Sequence, residues 1–155
     1  MPRSDDDPAT VGDVHDTALA MPDVELGRAW GTTAYRIAKR PFVRWREPRA
    51  DAVDEATGER LTDVMVLWVD GEADKHALVD DPATPFFTLP HYDGHHSVLL
   101  RESDVGRLTR GEIREIVRDA WLAQAPTARR RAWLLENGLQ ENGLEQNGPG
   151  DAADD

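Results

Sequence analysis

Five cations stand within twelve residues of an otherwise acidic chain. The run Tyr35–Arg36–Ile37–Ala38–Lys39–Arg40–Pro41–Phe42–Val43–Arg44–Trp45–Arg46 holds no acid, while the 155-residue chain has a net charge of −12. Arginine and lysine on one strand face suit phosphate binding, because their N–H groups donate to phosphate oxygens and released counterions supply affinity. The run alternates as strands do. Tyr35 and Ile37 fall on one face with Arg36 opposite, and Val43 and Trp45 fall on one face with Phe42, Arg44 and Arg46 opposite. Lys39–Arg40–Pro41 marks the reversal, since Pro41 cannot donate to a central ladder. The pattern predicts a β-hairpin that buries an aromatic and aliphatic face and offers a basic face to an anionic partner. The competing reading is a solvated sheet face whose arginines pair with Glu47, Asp51, Asp54 or Glu55 in the next loop.

Other chemistry-bearing residues make weaker patterns. His91, Asp93, His95 and His96 are metal-ligand types, but a turn at Asp93–Gly94 breaks the extended spacing that would put them on one face. The chain has no cysteine, which excludes disulfides, thiolate zinc sites and a cysteine nucleophile. Ser97 and Ser103 lie near histidines without a Gly-x-Ser-x-Gly elbow, and there is no Gly-rich phosphate loop. Asp63, Asp70 and Asp74 flank an apolar strand, a common occurrence in an acidic chain. No catalytic residue, metal site or cofactor is assigned, and the chain reads as a non-enzyme.

The elements that must hold the basic run follow from periodicity. Thr10 and Asp13 have capping-box spacing ahead of a helix over about 11–21, closed by Pro22. A connector over 27–33 leads to the hairpin at about 33–46, and Glu47–Asp63 reads as a long surface loop. Val64–Val69 is a nearly continuous apolar strand. A short helix over 72–79 and two strands, 86–89 and 97–101, come next, the strands separated by a tight turn at Asp93–Gly94. Thr109 and Glu112 cap the helix 110–124, whose Ile113, Ile116, Val117, Ala120 and Trp121 repeat every 3.6 residues. A last helix over 127–135 carries Arg129, Arg130 and Arg131. This order predicts an α+β fold, a mainly antiparallel sheet packed against N- and C-terminal helices.

Residues 1–9 read as a disordered N-terminus, 10–135 as one domain and 136–155 as a disordered acidic tail with an imperfect Glu-Asn-Gly-Leu repeat. The two tails hold eight of the twelve net negative charges, so the folded part is only mildly acidic. No apolar run reaches membrane-spanning length and no signal peptide is evident, so a cytoplasmic protein without a membrane partner is expected.

The chain resembles the MmcQ/YjbR family of small bacterial proteins with a CyaY-like (frataxin-like) α+β fold. The resemblance rests on Ala18–Leu19–Ala20–Met21–Pro22–Asp23–Val24–Glu25, Trp30–Gly31–Thr32–Thr33–Ala34–Tyr35–Arg36 and Phe86–Phe87–Thr88–Leu89–Pro90–His91–Tyr92–Asp93–Gly94. Val98–Leu99–Leu100 and Ala120–Trp121–Leu122–Ala123–Gln124–Ala125–Pro126 complete the ordered set. It implies a DNA-binding protein whose basic hairpin contacts phosphates, which places Arg36, Lys39, Arg40, Arg44 and Arg46 at the interface. The chain departs from the family pattern in its long, acid-rich loop 47–63 and its net charge. The alternative is a protein- or small-ligand-interaction module without nucleic-acid binding.

Overall fold

The computed structural model of the chain describes residues 3–29 and 32–139; Trp30, Gly31 and the acidic tail beyond residue 139 lie outside them. Helix α1 (Val11–Ala20) leads into three strands, β1 (Val24–Ala29), β2 (Thr32–Ile37) and β3 (Arg40–Trp45). After the long loop come β4 (Val64–Trp68), α2 (Glu72–Val79), β5 (Ser97–Arg101) and α3 (Arg110–Gln124). The five strands form one antiparallel sheet in sequence order. The α+β architecture expected from the sequence is therefore the observed one. The chain divides between Gln124 and Ala125, ahead of the point at residue 135 where the sequence reading ends its domain. The second unit carries α4 (Thr127–Glu136), whose last turn holds no cation, so Arg129–Arg131 do not serve its C-terminus.

Both predicted capping boxes form. Thr10 and Asp13 exchange backbone-to-side-chain bonds of 2.9 and 3.3 Å at α1, and Thr109 and Glu112 do so at 2.8 and 3.1 Å at α3. Helices α1 and α3 pack on each other, and α3 lies across β3 and β4. Ile113, Val117, Ala120 and Trp121 are fully buried, as the stripe requires.

The opposite sheet face is covered by loops. Val64, Val66, Leu99 and Tyr92 form a second core, with Leu61, Trp68, Phe87 and Leu89 packed against it. Burial on both faces explains why β4 is nearly continuous apolar sequence. The expected strand over 86–89 reduces to one bridge, Phe87 to Leu99, before a 3-10 turn at Pro90–Tyr92. The expected connector over 27–33 is in part the edge strand β1, whose Glu25, Gly27 and Arg28 give it no apolar alternation.

The hairpin also departs from its sequence reading. Its two-residue turn is Ala38–Lys39, with φ of 50° and 69°, and Ile37 pairs with Arg40. That is the twist a two-residue hairpin prefers, though neither residue is Gly or Asn. Pro41 sits inside β3 opposite Arg36, beyond the reach of β4, which pairs only with Val43–Trp45. A bulge beside Tyr35 and Arg36 adds one residue to β3, and Phe42 and Val43 are both fully buried. Phe42 thus leaves the basic face. Because a left-handed alanine costs about 1–2 kcal/mol, Ala38→Gly should raise stability by about 0.5–1 kcal/mol after the glycine entropy loss. A rise in the urea midpoint at unchanged m-value would show it.

Residues 3–9, within the segment expected to be disordered, are held against α1 and α3. The first amides of α3 need acceptors, and Arg110 and Gly111 donate to Asp7 O and Asp5 O at 2.8 and 2.9 Å. Asp5 meets Arg114 at 3.1 Å, and Arg3 meets the buried Asp13 at 2.5 Å. Burial alone would raise the Asp13 pKa, but hydrogen bonds from Arg3 and Thr10 outweigh it and hold the carboxyl below its ordinary value. A lowered carboxyl contributes stability that is complete above the ordinary aspartate value near 3.9 and is lost as pH falls toward the folded value. Melts between pH 5 and pH 2 should therefore drop more steeply for the wild type than for Asp13→Asn.

Candidate nucleic-acid interface

The five cations of the hairpin separate into a root and a tip. At the root, Arg46 directly follows β3, and its backbone N–H donates to Val64 O at 2.8 Å. Its side chain is turned inward, and the residue is only 4% exposed. Nη2 donates to Asp51 Oδ2 at 2.7 Å, and Nε donates to the Tyr92 hydroxyl at 3.1 Å. The guanidinium also lies over the Tyr92 ring, 5.3 Å from its centre. The hydrogen bond from Arg46 holds the Asp51 carboxyl below its ordinary range. Arg46 is therefore buried and paired, where the sequence reading expects it on an open basic face. It is the residue for which pairing with the 47–63 loop holds.

Arg44 lies on the same sheet face, opposite Ala34 on one side and Val66 on the other. It is half-buried, with Nη2 3.4 Å from the Tyr92 hydroxyl. Tyr92 is itself fixed from below. The buried Lys75 of α2 donates through Nζ to Tyr92 O at 2.6 Å and to His95 O at 2.8 Å. The His91–His96 turn thus serves to hold Tyr92 against the two arginines. His91 and His95 rings lie 6.1 Å apart, and among the described residues no group of three His, Asp or Glu converges as a metal site.

The tip is different. Lys39 and Arg40 are exposed, and Arg36 is half-buried, one register step from the turn. Among the described residues, no carboxylate oxygen lies within 4.0 Å of these three cations. Arg36 reaches across β1, where a Cβ on Gly27 would stand 2.5 Å from its Nη2. Glycine at 27 is what lets the guanidinium lie flat on the neighbouring strand. Its Nε is buried without a hydrogen-bond partner. Among the described residues, Arg36, Lys39 and Arg40 thus lie at or beside the turn without an ion-pair partner, Glu25 being the residue across from Arg36 on β1.

A second polar feature, which the sequence reading did not find, lies on the helix side of the sheet. His15 of α1 stacks on Trp45 of β3, ring centres 4.8 Å apart and planes within 4°. His15 Nδ1 hydrogen-bonds the hydroxyl of Tyr35, whose pKa is raised by burial and by nearby Asp16. Trp45 Nε1 donates to Glu102 at 2.6 Å. The available signal was His15 itself, which falls beside Val11 and Ala18 on the apolar stripe of α1.

Residues 19–123, the span that holds the hairpin, the sheet and nearly all of α3, match the YjbR family. The chain belongs to the YjbR family. It is 32% identical over 104 residues to uncharacterized protein Rv2570 of Mycobacterium tuberculosis, covering 64% of this chain and 78% of that protein. The same figures hold for uncharacterized protein Mb2600 of Mycobacterium bovis. No solved structure matches the chain. Among the described residues of this YjbR protein, no helix is long and apolar enough to cross a membrane.

Proposed function

We propose that this YjbR protein is a non-enzymatic, cytoplasmic DNA-binding protein that contacts duplex phosphates with the tip of the β2–β3 hairpin. The contact set is Arg36, Lys39 and Arg40, reduced from the five cations of the sequence reading. One observation carries the proposal: these three have no carboxylate partner among the described residues, whereas Arg46 is neutralised by Asp51. Lys39 in the turn, with Arg36 and Arg40 on the strands beside it, none with a carboxylate within 4.0 Å among the described residues, suits an anionic surface. Arg44 and Arg46 serve the fold, holding the second core to β3 through Tyr92.

Three phosphate contacts imply weak binding. Each neutralised phosphate contributes a slope of about −0.9 in log affinity against log salt, so the whole slope should be about −2.7. Raising salt from 50 to 200 mM should then weaken binding by about forty-fold. Backbone contacts carry no sequence information, so affinity should be similar across duplexes. Fluorescence anisotropy with a short labelled duplex, titrated from about 20 mM salt upward, tests this directly. No binding at the lowest salt would replace the proposal with an interaction module that does not bind nucleic acid.

A further inference from the structure

The sheet closes one of its edges and leaves the other open. Outside β5, Phe87 exchanges two backbone bonds with Leu99, of 3.0 and 2.9 Å. At the other edge, among the described residues, the backbone of Glu25, Leu26 and Gly27 in β1 pairs only with β2. Edge strands are commonly guarded by proline, lysine or a bulge, because their unpaired N–H and C=O groups template another strand. β1 has none of the three, and its pairing with β2 is regular from Val24 to Ala29. Leu26, in the middle of the strand, is 57% exposed.

An edge of this kind can pair with itself. Two copies related by a two-fold axis perpendicular to the sheet run antiparallel, and residues opposite each other lie on the same face. The axis then passes through a residue, and charge decides which. Centring on Glu25 or Arg28 sets like charges opposite each other, and centring on Val24 sets Glu25 opposite the partner's Asp23. Leu26 and Gly27 remain. Centring on Leu26 brings the two exposed leucines together and puts each Glu25 opposite the partner's Gly27. Gly27 is where the Arg36 guanidinium lies, with its Nε buried and lacking a hydrogen-bond partner. Among the described residues, no carboxylate of its own chain comes within 4.0 Å of it. The partner's Glu25 supplies that acid, twice over by symmetry, in the pairing a guanidinium makes best.

We infer that the open edge of β1 binds a second copy of this chain, antiparallel and centred on Leu26, joining the two sheets into one. A strand edge alone makes a small interface, so the dimer is weak, with a Kd above about 10 µM. Well below that concentration the chain is a monomer and Arg36 stays open to phosphate, so the inference stands apart from DNA binding.

The test uses the full chain. Sedimentation velocity from about 5 to about 500 µM should show a monomer passing to a dimer, the range a small interface requires. Leu26→Lys and Glu25→Arg should each weaken the dimer at least ten-fold. Glu25→Arg and Arg36→Glu chains, each monomeric alone, should dimerise when mixed, because each supplies the charge the other lacks. The chain has no cysteine, so Leu26→Cys introduces a sole thiol that meets its copy across the axis. Opposed Cα atoms lie about 4.5–5.5 Å apart, within disulfide range. Under glutathione disulfide this variant should cross-link at least ten-fold faster than Arg28→Cys, whose two copies would lie about 14 Å apart. Glu25, Leu26 and Arg28 are exposed, and unchanged thermal melts check the fold of their variants. A monomer throughout the range, a dimer indifferent to Leu26→Lys, or equal cross-linking at the two positions would each overturn the inference. A dimer seen only after removal of residues 140–155 would assign the edge to the tail and overturn it too.

Discussion

Trp121→Ala should destabilise the protein by about 3–5 kcal/mol, the range for deleting a large buried aromatic side chain. Trp121 has no exposed surface, and it ends the buried stripe of α3 that packs on β3 and β4. Its Nε1 donates to Pro22 O at 3.2 Å, which also ties α3 to the turn after α1. Truncation removes both the packing and this bond. Since whole domains are stable by only about 5–15 kcal/mol, this loss is a large fraction of the total. Trp121→Phe keeps most of the apolar volume and should cost less, about 1–2 kcal/mol, for the smaller ring and the lost bond to Pro22 O. Urea melts of both variants check the pair, and a cost near zero for Trp121→Ala would contradict the assigned phase of α3.

Arg46→Gln carries the second largest effect, and it separates structural from binding arginines. Removing one partner of a buried ion pair costs about 3–5 kcal/mol when both are desolvated. The Asp51 side chain is 36% exposed and can rehydrate, so the expected loss is lower, about 2–3 kcal/mol. Arg49→Gln is the control. Arg49 and Glu47 pair at 2.8 Å, but both are well exposed, and that loss should stay below about 0.5 kcal/mol. Equal costs for the two variants would show that Arg46 is as solvated as Arg49. Tyr92→Phe should produce part of the Arg46 effect, because it leaves Nε of a buried guanidinium without its acceptor.

Why Arg46 reads as a surface residue in the sequence is instructive. Alternation places it on the polar face of a strand, and alternation is right about the face. What no local pattern shows is that this face is covered by chain from far away. Leu61, Phe87, Leu89 and Tyr92 pack on this face from the 47–63 loop and the 86–92 segment, both outside the hairpin of Arg46. By contrast, α3 and the two capping boxes were legible because their signals lie within a few residues of one another. Strand β4 was legible because burial on both faces leaves little but apolar residues. Strand β1 was not, since an edge strand with Gly27 and exposed Leu26 lacks both signals. The extra residue at Phe42 shifted half of one predicted face, because a bulge leaves no mark in side-chain alternation. The N-terminal residues were read as disordered from their acids alone. Asp5 and Asp7 are there as backbone acceptors for α3, a role that depends on tertiary position.

The central claim is that the hairpin tip, and not its root, meets phosphate. Its most direct test is the salt dependence of duplex binding for the double variant Lys39→Gln, Arg40→Gln. Both residues are exposed at the turn, so stability should be nearly unchanged. The slope of log affinity against log salt should flatten by about 1.8, from about −2.7 to about −0.9, leaving the Arg36 contribution. Arg44→Gln, measured alongside, should leave the slope as it is in the wild type. A double variant that binds with the wild-type slope, or a slope lost only on changing Arg44, would contradict the account.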